Sequence, residues 1–157
     1  MAQSQFYYRN PDAPKPNQPP SIGVAALIER NERLLLERRS DSDRWAIIGR
    51  AIQQDESLLE GLVREVMEET GLTVKNADLL GTFSDPSRII AFPDGNVKRI
   101  ITIAYRVDVD PFTELVCSEE SVELAFISKE ALSRIPIAET HIPIVQAYLN
   151  DKTAVMD

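Results

Sequence analysis

The hydrophobic pattern is clearest in residues 57–71, where apolar positions recur at the spacing of one helix face. That face would consist of Leu59, Leu62, Val63, Val66 and Met67. Glu65, Glu68 and Glu69 cluster on the opposite face. Ser57 is a fitting N-cap because Glu60 can complete a capping box, and Gly71 can end the helix in a left-handed conformation. The pattern therefore predicts a helix with one packed face and one acidic face.

Apolar and β-branched runs on both sides of this helix predict strands. The predicted strands cover residues 22–29, 33–37, 79–84, 88–92, 97–107 and 122–127. A polar turn at 30–32 predicts one hairpin, and an Asp-Gly pair within residues 93–96 predicts another. Ser128 can cap a short helix ending near Arg134, and Thr140 can cap a helix over residues 140–150. Periodicity alone thus predicts an α/β or α+β domain.

The first 20 residues differ from the remainder, because they are polar and rich in proline. They predict an extended arm at 1–20 ahead of one folded domain at 21–157. Phe6, Tyr7 and Tyr8 interrupt the arm, and could pack on the domain, contact a partner subunit or lie over a base in the site. Packing is favoured because aromatic side chains mainly supply buried area.

Charge and composition exclude several classes of protein. A net charge of −8 argues against binding to a nucleic-acid polymer, which requires a basic surface. No apolar run approaches the roughly 18 residues of a membrane helix, and the N-terminus lacks an apolar signal region. With Cys117 as the single cysteine no internal disulfide can form, so we expect a cytoplasmic protein.

The acidic helix face has two interpretations. Neighbouring carboxylates repel by about 0.2–0.5 kcal/mol per pair unless a positive charge lies among them. Mg²⁺ or Mn²⁺ could supply that charge, since hard cations prefer oxygen ligands. Alternatively, the face is simply solvated and Arg64 pairs with Glu60 and Glu68. Spacing alone leaves both interpretations open.

A longer pattern around this helix resembles the signature of the Nudix hydrolases. That signature contains a glutamate, seven residues, and then Arg-Glu-aliphatic-any-Glu-Glu-any-Gly-aliphatic. The chain has Glu56, seven residues, and then Arg64-Glu65-Val66-Met67-Glu68-Glu69-Thr70-Gly71-Leu72. One position departs from the family, because Arg50 stands where the signature begins with glycine, directly after Gly49. Arg50 could distort the backbone carbonyl that this loop offers to a metal in the family, or reach toward a phosphate.

The resemblance covers roughly residues 21–150 and implies the Nudix α/β/α sandwich, in which the catalytic helix packs on a mixed β-sheet. It also implies a metal-dependent pyrophosphohydrolase that cleaves a phosphoanhydride bond in a nucleoside diphosphate linked to X or in a nucleoside triphosphate. The implied ligands of Mg²⁺ or Mn²⁺ are Glu65, Glu68, Glu69 and the Gly49 carbonyl.

The resemblance also suggests the other catalytic roles. Glu65 or Glu120 would act as the general base. Glu120 matches an additional glutamate that the family often carries on the loop before the strand at 122–127, and Glu119 and Glu123 are weaker matches for it. Arg64 and Glu56 would form an ion pair that orients the metal ligands.

Four side chains are candidates for substrate binding. They are Arg39, Arg50, Arg88 and Phe92, the last two lying in a segment where Nudix proteins vary their substrate loops. Solvated charge and an ordinary hairpin are the alternatives. The only histidine, His141, is expected to be a surface residue rather than a ligand.

A second functional hypothesis is a non-catalytic Nudix module that binds a nucleotide or phosphorylated ligand as a sensor. In this hypothesis the altered loop at 49–50 has disrupted the metal site. A third is a plain protein-interaction domain. Family dimers are common, so a homodimer is one open state of assembly.

Overall fold

The computed structural model describes residues 3–111 and 114–157, so Met1, Ala2, Phe112 and Thr113 lie outside the description. The strands are β1 Gln5–Tyr7, β2 Ser21–Arg30, β3 Arg33–Arg39, β4 Trp45–Ile47, β5 Val74–Phe83, β6 Ile89–Ala91, β7 Val97–Val109, β8 Ser121–Ser128 and β9 Val155–Met156. The helices are α1 Leu58–Thr70, α2 Lys129–Leu132, a 3-10 helix at Glu139–His141, and α3 Ile142–Leu149.

The strands form a mixed sheet, as predicted. Its main order is β1-β6-β7-β2-β3-β4, with β5 also beside β7 and β8 beside β3. The central pair β2–β7 is parallel, with Ala25 opposite Ala104, and β5–β9 is parallel as well. The other pairs are antiparallel, including the β6–β7 hairpin predicted from the Asp-Gly turn.

Helices cover both faces of this sheet, which confirms the predicted α/β/α sandwich. Successive side chains of β2 point to opposite faces because a strand has a period of two residues. One set, containing Ala26 and Ile28, clusters with Leu62 and Val66 of α1. The alternate set clusters with α3 side chains such as Ile144. The near-continuous apolar run of β2 thus serves two cores at once.

The ends of α1 follow the sequence prediction. Ser57 Oγ accepts a hydrogen bond from the Glu60 amide at 3.1 Å, and Glu60 Oε1 accepts one from the Ser57 amide at 3.0 Å. Gly71 closes the helix with φ of 73°. The capping box and the glycine C-cap are therefore both confirmed.

The predicted packing face of α1 is partly wrong. The buried residues are Gly61, Leu62, Glu65, Val66, Glu69 and Thr70. Leu59, Val63 and Met67 are instead 42–54% exposed. The face of α1 that packs on the sheet includes two glutamates. Glu65 and Glu69 therefore lie between helix and sheet rather than in solvent. This rotation of the helix determines the geometry of the site.

The N-terminal segment lies against the sheet. Strand β1 pairs with β6, and Phe6 is only 6% exposed in a cluster with Ala46, Ile90 and Ala138. Of the alternatives for its aromatic residues, packing on the domain is thus the one seen for Phe6. The division into an arm at 1–20 and a domain at 21–157 stays a prediction.

The C-terminal helices are shorter than predicted. Ser128 caps α2 as expected, but α2 ends at Leu132. The predicted helix over 140–150 divides into the 3-10 turn and α3, whose N-cap is His141 rather than Thr140. In the described part of the chain, no helix is both long and apolar enough to cross a membrane.

Candidate functional site

The loop between β4 and α1 is pressed onto strand β2. Its carbonyls at Ile48 and Arg50 accept hydrogen bonds from the Ala26 and Val24 amides at 2.7 and 3.1 Å. Gly49 has φ of 128°, and a Cβ there would lie 2.0 Å from the Val24 carbonyl oxygen, so only glycine fits. This close approach brings the loop to the buried side of α1.

One cluster of charges surrounds Arg64, from the nearly buried Glu65 to the exposed Glu68, and we call it the outer group: Arg64, Glu56, Glu65 and Glu68. Arg64 Nε and Nη2 lie 2.9 and 2.5 Å from the two carboxylate oxygens of Glu56. Arg64 Nη1 also lies 2.8 Å from Glu65 and 3.1 Å from Glu68. Hydrogen bonding to Arg64 lowers the pKa of Glu56 to about 2. The predicted ion pair between Arg64 and Glu56 is therefore present.

A second cluster lies deeper, and we call it the inner group: Arg50, Glu37, Glu69 and Glu120. The Arg50 guanidinium lies 3.1 Å from Glu37, 3.3 Å from Glu69 and 2.8 Å from Glu120. The side chains of Glu37 and Glu69 are 0% and 1% exposed. Ser121 Oγ donates to Glu37 Oε2 at 2.5 Å. Two buried carboxylates thus share one guanidinium, and Glu120 reaches it from the surface.

Glu69 lies between the two groups, because it contacts Arg50 of the inner group and neighbours Glu65 of the outer group. The positive charge around it is too small to balance the nearby carboxylates. Its Oε2 accepts a hydrogen bond from the Gly49 amide at 3.3 Å, whereas its buried Oε1 has no hydrogen-bond partner in the described structure. Burial, and then the charge of Glu37, raise the pKa of Glu69 to about 10, while Arg50 opposes the rise. The neighbouring Glu65 raises this pKa further. Such a carboxyl gains from a proton or from an additional cation.

The donor chemistry at α1 fits a divalent cation. Six carboxylates of the two groups face two guanidinium groups, which leaves an excess of negative charge and of oxygen donors. Oε1 of Glu69, which makes no hydrogen bond to the described residues and lies 3.3 Å from Arg50 Nε, is beside this excess. Within residues 3–111 and 114–157, however, no three acidic, histidine or cysteine side chains are already arranged as a metal cage. Arg50 and Arg64 hold the oxygens that an ion would bind.

Next to the inner group lies a cavity of about 180 Å³. Its lining includes apolar side chains of β2, β6 and β7 and the loop residues Gly49, Arg50 and Ala51. Phe92, Arg39 and His141 also contribute to it. The same loop therefore forms one wall of an apolar cavity and contacts the carboxylates of α1.

His141 is held in one tautomer beside this cavity. Its Nδ1 accepts a hydrogen bond from the Ile47 amide at 2.9 Å, which leaves the ring proton on Nε2. Burial, and then the charges of Arg88, Arg39 and Arg50, lower the pKa of His141 to about 3. The ring is neutral at physiological pH, and the expectation that His141 is a simple surface residue is wrong.

The low pKa of His141 makes folding stability depend on pH. The unfolded chain binds a proton on this histidine below about pH 6.5, whereas the folded chain does not until about pH 3. The contribution of His141 to stability is therefore lost as the pH falls through this window, by about 1.7 kcal/mol between pH 6.5 and 5. In urea unfolding at both pH values, we expect His141→Asn to remove this contribution, because the amide oxygen can still accept from Ile47. Equal pH slopes for the two proteins would contradict the assignment.

The predicted substrate-binding residues have different surroundings. Arg39 and Phe92 line the cavity, although Arg39 is also held by Asp41 through two bonds of 2.8 Å. Arg50 lies at the boundary of the cavity and the inner group. These three side chains are thus brought together, and the role of each in binding stays a prediction.

For Arg88 the structure corrects the prediction. This side chain is 0% exposed, and its donors are used by the carbonyls of Thr140, Phe83 and Ile100 and by Thr102 Oγ1. Burial lowers its pKa to about 10. A guanidinium enclosed in this way connects β5, β7 and the 3-10 helix, and it is not available to a phosphate.

Two residues of the site were missed by sequence analysis. Glu37 received no role, although an acidic residue directly after three leucines in a predicted strand is a signal of a buried carboxylate. His141 carried no comparable signal, because only the folded chain places it against β4. Among the acidic residues considered near β8, Glu120 reaches the inner group, whereas Glu123 pairs with Arg38.

Comparison with known proteins places these features in a wider context. The NUDIX domain family matches residues 17–148. An ADP-ribose pyrophosphatase from Methanocaldococcus jannaschii is 32% identical over 136 residues, which cover 85% of this chain and 75% of that protein. A CTP pyrophosphohydrolase from Escherichia coli is 29% identical over 130 residues, which cover 80% and 89%. The crystal structure of a MutT protein from Bacillus halodurans has the same fold, with a TM-score of 0.69 at 24% identity over 85% of each chain.

Proposed function

Because the chain belongs to the Nudix family of hydrolases, which act on acid anhydrides in phosphorus-containing compounds, we propose a specific reaction for it. The reaction is the metal-dependent hydrolysis of a phosphoanhydride bond in a nucleoside diphosphate linked to X or in a nucleoside triphosphate. Water attacks phosphorus, and the bond from phosphorus to the bridging oxygen breaks. The proposed setting is the cytoplasm, and a homodimer stays one open state of assembly.

One observation supports this proposal above the others: the apolar cavity and the carboxylates of α1 share the Gly49–Arg50 wall. A base fits the chemistry of the cavity, since Phe92 offers an aromatic surface and His141 a fixed hydrogen-bond donor. Phosphates attached to that base would extend across the wall toward the outer group. Binding and chemistry would then take place on two sides of one rigid loop.

The metal would be held by Glu65 and Glu68 of the outer group together with the adjacent Glu69. When bound, Mg²⁺ or Mn²⁺ would neutralise phosphate charge and lower the pKa of a coordinated water. Arg64 would keep Glu56 and Glu65 in position, because its guanidinium contacts both carboxylates. These contacts support a role for Arg64 in orienting the carboxylates rather than in contacting the substrate.

Glu120 is the better supported of the two candidates for the general base. Its side chain is 64% exposed, so water and substrate can reach it, and Arg50 fixes one of its oxygens at 2.8 Å. Glu65 is nearly buried and already bound by Arg64. In the proposed reaction Glu120 accepts the proton of the attacking water.

The sensor hypothesis has a specific observation in its favour. Arg50 already neutralises carboxylates that a metal would otherwise need, so the site could bind a nucleotide without hydrolysing it. Both functions use the same cavity. They differ only in turnover.

A substrate panel tests the proposed function. We expect Mg²⁺- or Mn²⁺-dependent phosphate release from ADP-ribose, CTP or another nucleotide derivative well above the other compounds, with pyrophosphatase added for triphosphates and phosphatase for nucleoside diphosphate derivatives. The first two compounds correspond to the related ADP-ribose pyrophosphatase and CTP pyrophosphohydrolase. If no compound is hydrolysed and a nucleotide still raises the melting temperature, the sensor hypothesis replaces the enzyme.

A further inference from the structure

The inner group contains a cation supplied by the chain itself. Glu37, Glu69 and Glu120 come from three separate segments, and all three carboxylates contact the guanidinium of Arg50 at 2.8–3.3 Å. Two of these carboxylates are buried, so water provides little alternative stabilisation of their charge. Arg50 is thus the positive charge on which this cluster depends.

A divalent cation would use the same oxygens. Mg²⁺ and Mn²⁺ bind carboxylate oxygens, and one oxygen of each of the three carboxylates already contacts Arg50 Nε or Nη2. An ion placed among them would also lie next to a guanidinium, and like charges at this separation repel strongly outside bulk water. Arg50 and a metal ion in the inner group therefore exclude one another.

The backbone of the loop does not require this side chain. Arg50 is absent from the residues with positive φ, and its main-chain carbonyl accepts from the Val24 amide whatever the side chain. A residue with a small side chain can take the same backbone conformation. The side chain at position 50 thus sets the charge of the inner group, whereas the backbone conformation of the loop does not depend on it.

We infer that Arg50 takes the place of a divalent cation among Glu37, Glu69 and Glu120, so that a metal ion binds only beside the outer group, where Glu65, Glu68 and the neighbouring Glu69 would hold it. The inference rests on the proposed metal-dependent function. It assigns Arg50 a positioning role: the guanidinium holds Glu120 and Glu69 on the cavity side of α1 in the absence of any metal. A small residue at position 50 would convert the inner group into a second metal site.

The test compares metal binding by the wild type, Arg50→Ala and Arg44→Ala. Arg44 is a matched control because it is also a partly exposed arginine paired with a glutamate, Glu139, outside both groups. Mn²⁺ binding is followed by the loss of the free-ion EPR signal, and melting temperature is measured with and without Mg²⁺. We expect Arg50→Ala to bind about one Mn²⁺ more per chain than the other two proteins. We also expect its melting temperature to be lower without metal and to rise more when Mg²⁺ is added.

Equal Mn²⁺ stoichiometry and equal Mg²⁺ shifts in the wild type and Arg50→Ala would overturn the inference. If Arg50→Ala does not fold in metal-free buffer, circular dichroism should show folding on addition of Mg²⁺ or Mn²⁺, and failure to fold with either ion would also overturn it. Arg50→Lys, which keeps the charge, should retain the wild-type metal response. None of these measurements uses turnover, so they can fail while the substrate panel succeeds, and the reverse.

Discussion

Glu65→Gln should lower kcat by about a hundred- to a thousand-fold, the largest effect on activity that we expect from one substitution. The amide keeps the size of the side chain and can still accept from Arg64, so the fold and the outer group are preserved. What is lost is a charged oxygen ligand at the position where an ion would neutralise developing charge on phosphate. Steady-state kinetics on the substrate found in the panel, at saturating Mg²⁺, measure this loss.

The control for Glu65→Gln lies on the same helix. Glu60→Gln also removes one carboxylate from α1, but Glu60 is exposed and serves the capping box, a role that glutamine also fills. Its kcat should remain close to that of the wild type. Circular dichroism and the melting temperature of Glu65→Gln show whether the fold is intact. Normal turnover by a folded Glu65→Gln protein would remove Glu65 from the catalytic assignment.

Arg88→Ala should lower the free energy of unfolding by about 4 kcal/mol or more. The substitution leaves the carbonyls of Phe83, Ile100 and Thr140 without their buried donor, and it opens a cavity where a large side chain was fully enclosed. Small domains are stable by about 5–15 kcal/mol, so this loss is a large part of the total. Urea unfolding followed by circular dichroism measures it.

Two control substitutions separate the effect of losing the buried hydrogen bonds of Arg88 from the effect of losing any arginine. Arg106 donates to one carbonyl, that of Lys152, in an exposed setting, so Arg106→Ala should cost about 0.5 kcal/mol or less. Arg88→Lys should fall between the wild type and Arg88→Ala, because one ammonium cannot reach all the acceptors of a guanidinium. A loss below about 1 kcal/mol for Arg88→Ala would show that water or rearranged side chains satisfy these carbonyls.

Local sequence signals predicted the acidic helix and the hairpins well. The cap formed by Ser57 and Glu60 and the C-cap at Gly71 join residues that are neighbours along the chain, so their hydrogen bonds follow from spacing alone. The Asp-Gly turn before β7 has the same local origin. The fixed spacing of Glu65, Glu68 and Glu69 likewise identified the acidic helix before any fold was known.

The facing of that helix could not be read from its own sequence. Leu59, Val63 and Met67 fit an apolar stripe as well as Leu62 and Val66 do, yet they are exposed. The sheet beneath offers the helix both an apolar surface and a cation at Arg50, and the helix turns Glu69 toward that cation. The loop just before α1 thus supplies a partner for one of the two buried glutamates, and the helix's own apolar pattern does not specify this contact.

By itself, the sequence determined the strands, the helix ends, the family signature and the change from glycine to arginine at position 50, since each is encoded within a short segment. Only the tertiary structure decided the partners of Arg50. Pairing of β3 with β8 brings Glu37 and Glu120 together from distant parts of the chain, and docking of α1 adds Glu69. Contacts of this kind depend on strand register and packing, which no local pattern specifies.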